Sequence, residues 1–206
     1  MLDLKQTLAE LSELPRRPSE DTAWIVLTGA PSTGKSTVLE RLRLKGYSTC
    51  QEQARQLLEQ EIARGKSLNE LTSDPAMLVK RIFERNLATH GAAPRSQVTV
   101  FDRGLPDVLA FGLIDHVDLE PYVRECGAFR FVTAFVFEQV PAQSDQLVYH
   151  SQSQLREIEG ACEGIYRALG ANVQRLPAFS DDRAVSLARR MAIIEEEIRT
   201  LLQRTR

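Results

Sequence analysis

The sequence predicts an α/β fold, a parallel sheet with helices on both faces. Two observations predict it. Short apolar or β-branched runs that end at a glycine or an acid alternate with capped, helix-length stretches. The first such run, Ala23 to Thr28, is apolar throughout, as a strand buried on both faces must be. The chain has 206 residues, 43% hydrophobic and 26% charged, which suits one globular domain with at most a small appendage.

Leu4, Leu8, Leu11 and Leu14 stand near helical spacing until Pro15 and Pro18 stop the pattern. Residues 1–21 therefore read as an amphipathic helix and linker, free to pack on the main domain or to meet a protein partner. Residues 22–206 form that domain. After the run ending at Thr28, Lys35 to Leu44 predicts a helix closed by Gly46, with a weak strand near Tyr47 to Gln51. Glu52 to Arg64 reads as a helix stopped by Gly65. Asp74-Pro75 supplies an N-cap and a proline at the first helical position, opening a long helix to about His90. Gln97 to Asp102 is β-rich and ends on an acid. Helical stretches near Pro106 and Pro121 lead to Ala128–Phe137, the most strand-like run of all. Residues 138–153 are polar and irregular, Gln154 to Leu169 is helical, Val173 to Leu176 is a short strand, and 181–206 form a last helix.

Bulk properties exclude several classes. A net charge of −2 supplies no global basic field for nucleic acid, and no basic stripe is interleaved with aromatics. Cys50, Cys126 and Cys162 make no CxxC pair, so they read as buried or half-buried thiols. Asp115-His116-Val117-Asp118 lacks a second ligand pair and reads as a solvated loop rather than a metal site. No apolar run approaches the ~18 residues that a membrane helix needs. The first residues do not form a secretory signal, and a cytoplasmic location is expected.

Gly29-Ala30-Pro31-Ser32-Thr33-Gly34-Lys35-Ser36, followed by Thr37, fits G-x-x-x-x-G-K-[ST]. The glycines let backbone N–H groups turn inward around phosphate oxygens, and the next helix aims its positive end at the same point. Lys35 would neutralise the β and γ phosphates, and the Ser36 hydroxyl would ligand Mg2+. The expected ligand is ATP or GTP with magnesium. No Asn-Lys-x-Asp motif follows, which argues against a Ras-like GTPase.

Such loops work with a further carboxylate. Asp102 stands at the carboxyl end of its strand, where ligands of doubly wound sheets lie, and Arg103 follows as a planar cation for phosphate or substrate. Glu52 and Arg55 follow the weak second strand. Glu52 is either a base for an acceptor hydroxyl or an ordinary acid in a first helical turn.

With these residues placed, the chain resembles the P-loop ATPase/kinase-like domain family, of AAA type, that includes the ribosylnicotinamide kinase part of bacterial NAD regulators. The matching segments are Val26 to Thr37, Glu52-Gln-Ala-Arg55, and Phe101-Asp-Arg-Gly-Leu-Pro-Asp-Val-Leu-Ala-Phe111. The resemblance implies a three-layer P-loop sandwich with a five-stranded parallel core of nucleoside-kinase type. It implies that Lys35 and Ser36 handle phosphate and metal, that Asp102 is a metal-linked or base carboxylate, and that Arg103 touches phosphate or substrate. Glu52 and Arg55 would face a small-molecule acceptor, and Asp107 would line the acceptor pocket or brace the loop. Kinases of this type close an arginine-bearing lid, yet Glu138 to Leu155 contains neither Lys nor Arg. A transferring phosphoryl group would then need its cation from Arg156 or from a partner; otherwise the chain is a nucleotide-dependent regulatory module with weak transfer or none.

Overall fold

The structure, a computed structural model, describes residues 2–16, 21–139, 147–180 and 182–204. Its helices and strands follow in the order α1 (Leu4–Glu13), β1 (Trp24–Thr28), α2 (Lys35–Leu44), β2 (Thr49–Cys50), α3 (Gln53–Ala63), α4 (Leu68–Thr72), α5 (Pro75–Ala92), β3 (Thr99–Asp102), α6 (Asp107–Ile114), α7 (Glu120–Cys126), β4 (Thr133–Phe137), α8 (Gln152–Ala168), β5 (Asn172–Leu176) and α9 (Arg183–Arg204). All five strands are parallel, in the order β2-β3-β1-β4-β5. The expected five-stranded α/β sandwich is present.

β1 lies at the centre and is buried along its whole length. Successive side chains of a strand point to opposite faces. Trp24 and Val26 therefore enter the core beneath α1 and α5 to α8, whereas Ile25 and Leu27 enter the core beneath α2 and α9. Trp24 anchors the first core, its ring within 6 Å of those of His90, Phe101, Phe129 and Phe131. Each fully buried apolar side chain there contributes roughly 1.5–3 kcal/mol relative to exposure.

Three boundaries differ from expectation. Only Thr133–Phe137 of the run from Ala128 pairs as strand, because Phe129 and Phe131 leave the ladder to pack on Trp24. A short helix, α4, interrupts the segment after Gly65, held by a capping box in which Ser67 and Glu70 bond each other's backbone N–H. The last helix begins at Arg183, after Asp182 accepts from the N–H groups of Ala184 and Val185.

The N-terminal helix packs on the domain. Leu11 is buried, Leu8 meets Gly164 of α8, and Leu14 meets Gly127 beyond α7. Arg130 bonds the carbonyl of Leu169 at 2.7 Å and those of Leu14 and Pro15 at 3.5 Å, fastening the chain after α1 to the sheet. The linker residues 17–20 and residues 140–146, the middle of the expected lid, lie outside the described residues. No described helix is long and apolar enough to cross a membrane.

Candidate functional site

The loop between β1 and α2 turns through left-handed backbone at Gly29 (φ 109°), Ser32 (φ 60°) and Gly34 (φ 92°). Gly29 is required twice over. Its φ disfavours any side chain, and a Cβ there would come within 2.8 Å of the Phe137 carbonyl oxygen at the end of β4. The loop is already wrapped on itself. Lys35 Nζ donates to the Ala30 carbonyl at 2.6 Å and to Thr33 Oγ1 at 3.1 Å. Burial, aided by the nearby Arg103 charge, pulls the Lys35 amine down to about 8.

β3 runs beside β1, so its last residue, Asp102, arrives next to the start of α2. Ser36 Oγ donates to Asp102 Oδ2 at 2.6 Å. Asp102 is buried, and its other oxygen, Oδ1, has no hydrogen-bond partner. Burial, with Glu52 adding like charge, pushes its carboxyl up to about 6. A buried carboxylate oxygen without a donor, beside a serine hydroxyl, fits a hard divalent cation such as Mg2+. Among the described residues no cluster of three or more His, Cys, Asp or Glu forms a separate metal site. The Asp115–Asp118 segment is a turn with His116 and Asp118 exposed, while Asp115 accepts from Tyr149 and pairs with His150, so that residue also anchors 149–150.

Arg103, in left-handed backbone at φ 62°, turns under the loop. It donates to Glu52 Oε1 at 2.9 Å, to the Gly29 carbonyl at 2.8 Å and to Asp107 Oδ1 at 3.1 Å, and it lies over the ring of Phe111. Burial opposes its charge, but Glu52 and Asp107 outweigh that, and its pKa moves upward. Asp107 is a brace rather than an open ligand. Its two oxygens also accept from Thr28 Oγ1, the Gly104 N–H, Tyr166 Oη and the Cys162 thiol.

The predicted residues thus converge on one end of the sheet. Glu52 is half-buried and held by Arg103, and Arg55 lines the same cleft near Glu59. That cleft encloses about 930 Å³. It runs from the Pro31–Thr37 loop to a largely apolar compartment between α3, α5 and α6, walled by Leu58, Leu78, Val79, Ile82, Val108 and Phe111 with Asn86 among them. Arg183 of α9 also lines it. The described residues of segment 138–155 bring Leu147 to His150 to its wall, and none of these is Lys or Arg.

Two features escaped the sequence. The apolar wall of α5 and α6 carries no motif. Arg190 reaches under the loop from α9, and its signal was an arginine on the apolar stripe formed by Leu187, Met191, Ile194 and Ile198.

A central parallel strand followed by a wrapped phosphate-type loop, with a serine-bound acid at the tip of the neighbouring strand, defines a P-loop fold of the kinase type. The chain belongs to the AAA domain family, whose model matches residues 24–183. Among solved structures it is similar to a NadR protein in complex with NR, at 15% identity and a TM-score of 0.56 over 93% of this chain and 54% of that one. The chain therefore spans about half the length of that protein. It is also similar to thymidylate kinase from Ehrlichia chaffeensis, at 12% identity and a TM-score of 0.56 over 83% of this chain and 97% of that one. At such identities the likeness concerns the fold. No curated protein matches the sequence.

Proposed function

We propose that the protein is a small-molecule kinase that transfers the γ-phosphoryl group of ATP, or of GTP, to a hydroxyl of a nucleoside-like acceptor. One observation carries the reading: Lys35 and Ser36 line one cleft with the Glu52–Arg103 pair, and the buried Asp102 accepts from Ser36 just behind it. Residues Gly29 to Thr37 hold the phosphates, with backbone N–H groups and Lys35 facing the transferring group. Ser36 and Asp102 hold the magnesium ion, which when bound neutralises charge on the β and γ phosphates. The acceptor lies in the compartment between α3, α5 and α6, where Arg55 and Asn86 supply polar contacts. Glu52, oriented by Arg103, accepts the hydroxyl proton while the acceptor oxygen bonds the γ phosphorus and the bond to the bridging oxygen breaks.

The test is a screen of nucleotide consumption against ribosides and other hydroxyl-bearing metabolites, with Lys35→Ala as control. If no compound raises turnover above background, transfer is lost as a reading. A second reading, a nucleotide-dependent regulatory module, is favoured by the segment 138–155 without Lys or Arg. Limited proteolysis of that segment with and without nucleotide separates the two, since equal cleavage in both states counts against a switch.

A further inference from the structure

Arg190 is 3% exposed, and its guanidinium ends entirely on carbonyl oxygens. Nη1 donates to Thr33 within the phosphate-type loop at 2.7 Å. Nη2 donates to Glu138 and Leu176, both at 3.1 Å, and Nε donates to Pro177 at 3.0 Å. The plane lies over the ring of Phe137, 4.8 Å from its centroid. One side chain therefore ties the loop to the ends of β4 and β5.

Two aspects of this placement are unfavourable by themselves. A buried cation is costly, and among the described residues no carboxylate oxygen hydrogen-bonds Arg190; the Glu138 carboxylate acts on it only through space and is itself bonded to Arg175. Its Nη1 meets the Thr33 carbonyl just before the start of α2, where the helix dipole favours anions and disfavours cations. An apolar side chain on this face would fill the space without either penalty. Both are relieved when an anion binds on the other side of the loop. Burial lowers the pKa of Arg190, against the opposing charge of Glu138.

We infer that Arg190 is a positioning residue for the phosphates of the bound nucleotide, holding the Thr33 turn from behind and serving as a buried counter-charge that never touches the ligand. This rests on the nucleotide-binding part of the proposed function. It adds a residue of the last helix to a loop otherwise read as self-contained.

The experiment compares Kd values for ATP, ADP and AMP in wild type, Arg190→Met, Arg190→Lys and Ile194→Ala, alongside thermal melts of each free protein. Ile194 is fully buried on the same helix and controls for general loss of packing. Arg190→Met is expected to weaken ATP by about 10- to 100-fold, ADP by less and AMP least, because the lost field scales with the phosphate charge it meets. Arg190→Lys keeps the charge and should restore most of the preference for ATP over AMP. Ile194→Ala should melt earlier yet keep the wild-type ratio of the three affinities. If the methionine chain does not fold, Arg190→Gln, uncharged but still a donor, carries the same expectation. The inference is overturned if folded Arg190→Met or Arg190→Gln keeps the wild-type ATP/AMP ratio, if the lysine variant is no better than these, or if Ile194→Ala changes the ratio as much. A wild-type protein that binds none of the three nucleotides removes the proposed function together with this inference, whereas binding that ignores Arg190 removes only the inference.

Discussion

At the loop end of the cleft, the buried Lys35, Asp102 and Arg103 and the more exposed Ser36 are polar groups with partners fixed at 2.6–3.1 Å. At the far end, between α3, α5 and α6, the wall is Leu58, Leu78, Val79, Ile82, Val108 and Phe111. The first end is built before any ligand arrives, so ordering it at the moment of binding costs little. The second offers area and shape but few fixed hydrogen bonds, so it selects by fit and yields modest discrimination per contact. A triphosphate shared by many enzymes suits the first kind of site; an acceptor particular to one enzyme suits the second.

Four measurements would break or sharpen that contrast. The largest effect belongs to Lys35→Ala. Removing a preorganised charge from the transferring group should lower turnover by about 10²–10³, and a rate within threefold of wild type would show that the loop end is not where the chemistry sits. Next is Asp102→Asn, which keeps volume and removes charge. Nucleotide affinity measured with and without Mg2+ should lose on the order of 10- to 100-fold of its metal dependence; an unchanged dependence would remove Asp102 from the metal site.

The third concerns the core behind the apolar wall. His90 lies on α5 one turn after Asn86, whose carbonyl its Nδ1 meets at 2.6 Å, and its buried Nε2 has no partner. Burial lowers its pKa from 6.5 to about 4. A histidine depressed in the folded state favours unfolding as pH falls below its unfolded value, so stability present above pH 6.5 drains between 6.5 and 4. Roughly 2 kcal/mol should be lost between pH 8 and 5 in urea titrations, and His90→Leu should flatten that slope; an equal slope in the variant would assign it elsewhere. The smallest effect is that of Ile82→Ala on the compartment wall. Once an acceptor is found, its KM should rise roughly tenfold while nucleotide Kd stays put, and a matching loss in both would mean that the two ends are not separable.

The same contrast explains what the sequence made legible. A loop that grips phosphate needs fixed glycines, a lysine and a hydroxyl at set spacings, so Gly29 to Ser36 could be read directly, and Asp102 followed from its place at a strand end. The wall at Val79, Ile82 and Phe111 could not be read, because apolar residues at helical spacing look the same whether they face a core or a cleft. Asp107 was visible as a residue but not as a brace, since its partners Thr28, Cys162 and Tyr166 lie 55 to 79 positions away. The pairing of Asp115 with His150 was hidden for the same reason, and Phe129 and Phe131 looked like strand until Trp24 claimed them.

The strand order β2-β3-β1-β4-β5 has a bearing on synthesis as well as on the finished protein. The first of the five strands to be made takes the middle place, yet one neighbour begins at residue 99 and the other at residue 133. The arginine behind its loop comes 157 residues after Thr33. At about 5–20 residues per second, the nascent chain carries a complete phosphate-loop sequence for several seconds or more before the parts that enclose it exist. The bond from Arg190 to Thr33 is the last tie of that loop to be completed, since it waits for α9.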